Sequence, residues 1–147
     1  MSSPENKTLT ALDGIRVGHF TDLEGGTGVT VILFERPAIG AVDTTGMATS
    51  SRQIDSLEMM HPGSAVHAVC LAGGSAFGLD AATGVVRYLE EQGVGFDLVV
   101  TKLPIVPTAV IFDLSFMDPS ARPDPSMAYQ ACLNASSSPV EQGCVGA

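Results

Sequence analysis

With 16 acidic side chains against seven basic ones in 147 residues, the chain carries a formal net charge of −9, which excludes the basic footprint of a nucleic-acid binder. The length suits one domain with a real core. No apolar run reaches the roughly 18 residues of a membrane span, so no membrane partner is expected; the start lacks a basic-then-apolar signal pattern, and a cytoplasmic protein is expected.

Residues 1–10 are polar and read as a loose start, with one domain over 11–147. Residues 15–17 form a short strand interrupted by Gly18 and His19. Residues 22–26 are a turn, and residues 28–34 are a β-branched strand that Pro37 ends, with a return strand over 38–42. Residues 43–51 are a small polar loop, and residues 55–60 a helical turn before the Pro62-Gly63 break.

The stretch 66–92 organises the rest. Val66, Ala68, Val69, Cys70, Leu71 and Ala72 read as a buried strand. Gly73 and Gly74 break the pattern, and the Ser75 hydroxyl is placed to cap a helix of roughly 16 residues, about 24 Å long. Leu79, Ala82, Val85, Val86 and Leu89 share its apolar face, Arg87 and Glu91 pair on the wet side, and Gly93 closes it. Gly78 and Gly84 each cost about 1 kcal/mol against alanine inside a helix, so a sheet or second helix is expected to pack close there.

Further on, residues 96–100 and 108–114 are strand-like, the second of them buried. Pro104 and Pro107 lie between, residues 118–125 are a proline-rich loop, and residues 125–133 are a short helix. Residues 135–139 are a linker before the glycine-rich end. The sum is an α/β fold. Its 45% hydrophobic against 16% charged composition points to apolar surface hidden between subunits, hence a homo-oligomer.

Three chemical templates fail at Gly73-Gly74-Ser75-Ala76-Phe77-Gly78. The position two past Ser75 is Phe77, not the glycine of a nucleophile elbow. No glycine spacing matches a dinucleotide fingerprint, and no lysine supplies a phosphate loop. What remains is a turn and helix start at Gly74 and Ser75 that is either a plain connection or able to hold a carboxylate or oxyanion. Cys70, Cys132 and Cys144 have no C-x-x-C spacing, and His19, His61 and His67 no ligand spacing, so no metal is expected. Cys70 reads as a small core residue, and His67 as a hydrogen-bonded structural one.

Four stretches together carry a resemblance: Asp13-Gly14-Ile15-Arg16-Val17-Gly18-His19 with Thr27-Gly28-Val29-Thr30-Val31; Leu71-Ala72-Gly73-Gly74-Ser75-Ala76-Phe77-Gly78-Leu79-Asp80-Ala81-Ala82; Ala109-Val110-Ile111-Phe112-Asp113-Leu114; and Gly143-Cys144-Val145-Gly146-Ala147. In this order they resemble the DmpA-type aminopeptidases (L-aminopeptidase/D-esterases), relatives of the nylon-oligomer hydrolases, from about residue 11 to the last.

The resemblance implies an αββα layered fold shared with ornithine acetyltransferases, here incomplete, and a precursor that cuts itself in two. The new N-terminal Ser or Thr of the second part is then the nucleophile. It implies hydrolysis of amide bonds in small peptides or amino-acid amides, an oligomer, and no cofactor. The nucleophile falls beyond Ala147, so no catalytic residue is expected in this chain and the C-terminal part of the precursor is an expected partner. Phe112 stands at the position where some members carry a tyrosine, and its ring has no hydroxyl for an oxyanion. Gly74, Ser75 and Phe112 are the candidate substrate-binding residues. Gly46-Met47-Ala48-Thr49-Ser50 departs from the family's loop there, and Cys144 from its usual asparagine.

Two other functions stand beside this one. The chain is alternatively a non-catalytic α/β binding or scaffold subunit. A self-sufficient enzyme with Ser75 as nucleophile needs a base within about 3 Å; His67, eight residues back on a strand, is over ~20 Å away if the strand runs straight.

Overall fold

The computed structural model describes residues 6–46, 50–58, 61 and 65–147. The expectations placed on residues 1–5, on Met47 to Thr49 of the polar loop, on Met59 and Met60, and on the Pro62-Gly63 break lie outside those residues.

Among the described residues five strands make the main sheet. β1 (Ile15–Asp22) and β2 (Thr27–Ile39) form an antiparallel hairpin, and β4 (Ala65–Ala72) lies antiparallel against β2. β7 (Thr108–Val110) runs parallel to β4, and β3 (Ser51–Arg52) closes the edge. Parallel neighbours require a crossover, and here it contains α1 (Ala82–Glu91) and a small hairpin of β5 (Phe96–Asp97) and β6 (Lys102–Leu103). α2 (Pro125–Leu133) packs beside α1.

The strand period of two sorts the side chains. Val29, Val31 and Leu33 of β2 join Ala68, Cys70 and Ala72 of β4 on one face. They meet Ala81, Val85 and Leu89 with Ala128, Ala131 and Cys132 of α2. Each buried Val or Leu there contributes about 1.5–3 kcal/mol. Ile32, Phe34 and Val69 alternate with the core residues and are half-buried, while Leu71 is 38% exposed. The sheet is thus sealed by helices on one side and thinly covered on the other.

The close approach read from Gly84 is a helix crossing. A Cβ there would overlap the carbonyl of Pro125, where α2 begins. Asp124 caps α2, its carboxylate accepting from the Met127 amide at 2.9 Å, with Pro125 in the first turn. Gly93, at φ +69°, closes α1, and the Val94 amide donates back to the Leu89 carbonyl. Arg87 and Glu91 pair loosely at 3.9 Å.

Several elements depart from expectation. β1 runs unbroken through Gly18, whose bare Cα leaves room for the Ala131 carbonyl. β2 continues past Pro37 to Ile39, so there is no return strand over 38–42. The register shifts between Leu33 and Ala38, and proline is tolerated where a ladder bond is already missing.

The helix after Gly74 is also two pieces, a 3-10 segment Ser75–Ala81 and then α1. Ser75 sits at φ +53° and its hydroxyl caps nothing; Gly74 occupies the N-cap position. Only Phe96 and Asp97 of the expected strand over 96–100 pair, and Val99 turns at φ +71°. The strand over 108–114 stops at Val110, and Ile111 and Phe112 are exposed rather than buried. The 55–60 turn is a 3-10 segment Asp55–Leu57. The stretch 135–139 is tied down as well, because Ser136 bridges to Val17.

Candidate active site

Where β7 ends, Asp113 turns inward and its carboxylate joins three segments. Oδ1 accepts from the Gly74 amide and Oδ2 from the Thr27 hydroxyl, each at 2.6 Å. A Cβ on Gly73 would overlap both Asp113 Oδ2 and Thr27 Oγ1, so this junction is built around a bare backbone. Gly74 adopts φ +77°, a conformation glycine reaches without a side-chain clash. The Ser75 amide donates to the Ile111 carbonyl at 3.0 Å. The turn carrying Gly74 and Ser75 is therefore fixed directly to the segment carrying Phe112.

Beside the junction lies a cleft of about 550 Å³. Leu23, Ile111, Phe112, Phe116 and Met117 give it apolar walls, and Asp22, Asp113, Thr21 and Thr27 give it polar points. Residues 143–147 also line it, held by the Gly146 amide on Thr21 Oγ1 at 2.8 Å and the Ala147 amide on Thr30 Oγ1 at 3.2 Å. Phe112, 72% exposed, stands on the rim. Gly74 and Ser75 lie behind Asp113 and do not line the cleft. Arg122 stacks over the Phe77 ring, 3.6 Å from its centroid.

No imidazole bonds to Ser75 among the described residues. His67 is buried, and its Nδ1 accepts from the Ile105 amide at 3.1 Å. His19 Nδ1 pairs with Thr30 Oγ1 at 2.9 Å, and its Nε2 is enclosed without a partner. Burial pulls the pKa of both rings below the ordinary value of 6.5, with Glu141 opposing it at His19. Burial also pushes the Cys70 and Cys132 thiols up to about 12, which removes both as thiolates. Among the described residues no three of His, Cys, Asp and Glu stand where they could share a metal ion. None of the described helices is long and apolar enough to cross a membrane.

Asp113, Asp22 and Thr27 are the residues that sequence reading missed as site groups. Asp113 lay inside a quoted motif, but a lone acid after a strand carries no signal of the partners it meets 39 and 86 positions away.

Residues 7–147 match the model of peptidase family S58. A protein of Mycobacterium leprae (strain TN), named an uncharacterized aminopeptidase, is 43% identical over 140 residues, covering 90% of this chain and 38% of that one. The 6-aminohexanoate-oligomer endohydrolase of Paenarthrobacter ureafaciens is 34% identical over 137 residues, covering 91% and 35%. Among solved structures, a protein of Pyrococcus horikoshii OT3 superposes with a TM-score of 0.66 at 20% identity, over 99% of this chain and 46% of that one. The chain thus spans less than half the length of each of these relatives.

Proposed function

The chain belongs to peptidase family S58, and on that footing we propose that it supplies the substrate-facing walls of an aminopeptidase or amidase acting on small peptides or amino-acid amides. The attacking Ser or Thr comes from a C-terminal part of the same precursor, freed by self-cleavage. The single observation that carries this reading is the cleft itself. Among the described residues its lining holds no imidazole to act as base, and its one hydroxyl–carboxylate pair, Thr27 with Asp113, is tied to the Gly74 turn. The names of the relatives, aminopeptidase and oligomer endohydrolase, point to amide hydrolysis.

In the αββα arrangement the thinly covered face bearing Ile32, Phe34, Val69 and Leu71 receives a second sheet. Exposed Ile39, Val99 and Val100 support burial between subunits of a cytoplasmic homo-oligomer. A cleft lined without an imidazole also fits a binding subunit without catalysis.

Assay of aminoacyl anilides separates the two readings. The 147-residue chain alone is expected to be inactive. Joined to the segment that follows the matched region in the Mycobacterium leprae relative, it is expected to turn over. Activity of the chain alone would overturn the proposal; a joined protein that binds amides without hydrolysing them would favour the binding subunit.

A further inference from the structure

The cleft has one acid whose bonding is incomplete. Asp22 closes β1 opposite Thr27, and its Oδ1 accepts from the Glu24 and Gly25 amides at 3.2 and 2.8 Å. Its Oδ2 meets no donor among the described residues. Asp113 differs, since both of its oxygens are occupied by Gly74 and Thr27. Among the described residues no Lys, Arg or His lines the cleft. An aspartate that lines an apolar cleft with no basic side chain beside it favours a ligand with a positive group next to an apolar one. Charge-assisted bonds of this kind are about twice as strong as neutral ones.

We propose that Asp22 is a specificity-determining residue that receives the free ammonium of an apolar amino-acid amide or peptide, while Leu23, Phe116 and Met117 hold its side chain. This rests on the reading of the cleft as the amide-binding site and assigns which group reads the amine. The peptide turn from Asp22 to Gly26 holds the carboxylate in place, because Oδ1 is fixed by two backbone amides and the Gly26 amide bonds the Asp22 carbonyl at 2.8 Å. A neutral ligand of the same shape keeps the apolar contacts and loses the ionic one.

The test is calorimetric titration of the 147-residue chain at about pH 6, where an α-amino group of ordinary pKa near 7.7–8.0 is charged. The ligands are L-leucinamide and N-acetyl-L-leucinamide. Leucinamide is expected to bind about tenfold more tightly, and raising salt from about 0.05 to 0.5 M is expected to shrink that preference. Asp22→Asn keeps an oxygen for the turn amides; it is expected to bring the two ligands within about twofold while leaving the acetylated one unchanged. Equal binding by the unaltered chain, or a preference that survives Asp22→Asn, overturns the assignment of Asp22 and leaves the cleft reading standing. Failure of both ligands to bind overturns both.

Discussion

Asp113 and Gly74, 39 positions apart, are joined by a hydrogen bond of 2.6 Å from the glycine amide to the carboxylate. That bond fastens the end of the central parallel strand pair to the turn that starts the 3-10 segment, and Thr27 completes the junction from β2. A carboxylate accepting two such bonds is worth more than a neutral acceptor.

Asp113→Ala should destabilise the chain by about 2–3 kcal/mol, since it leaves the Gly74 amide and the Thr27 hydroxyl without their acceptor. Asp113→Asn, which keeps one oxygen, should cost less. Urea unfolding measures both; an alanine variant as stable as the parent would show that the junction holds nothing together.

Gly84→Ala tests two opposed effects. Helix propensity favours alanine by about 1 kcal/mol, whereas overlap of the new Cβ with the Pro125 carbonyl forces α1 and α2 apart. Overpacking of this kind costs about 1–3 kcal/mol, so the net change is expected to be destabilising by about 1 kcal/mol. A raised unfolding midpoint would mean the helices have slack.

Stability should fall on acidification from about pH 7.5 to 5.5. The folded-state pKa values of His19 and His67 lie below 6.5 because the rings are buried. The unfolded chain therefore takes up protons first, and stability present above that value is lost as pH drops through it. His67→Gln, which offers the Ile105 amide an alternative acceptor, should flatten part of the slope. A flat profile over this range would contradict the enclosure of both rings.

Thiol titration at pH 8 should find one fast cysteine in the folded chain and three after denaturation. Cys144 is exposed, whereas Cys70 and Cys132 are buried with thiols pushed up to about 12. Rapid reaction of more than one thiol in the native state would indicate a loosely packed face between the sheet and α2.

Local pattern was enough to read much of this fold. A β-branched run marks β2 and an apolar run marks β4, the Val85 and Leu89 spacing marks the buried face of α1, and Pro125 opens α2 as helix-start chemistry allows. The errors arise where distant contacts override local preference. Pro37 stays in a strand because the ladder is already shifted there, and Ser75 is turned to positive φ at a junction whose acceptor lies three residues past the end of another strand. Phe112 reached the candidate list through resemblance alone. Its exposed setting on the cleft rim has no signature in a run of apolar residues that reads as buried.

The first segment with described structure is fastened to the last. Thr10 Oγ1 donates to the Ser138 carbonyl at 2.8 Å, and the Val140 amide donates to Thr8 Oγ1 at 3.0 Å, just ahead of the stretch that walls the cleft. Trimming the leading dozen residues with an exoprotease would therefore slacken the cleft wall at 143–147, although none of the described residues among them lines it. Tags and fusions placed at the front of this protein belong among the variables that govern the shape of that cleft.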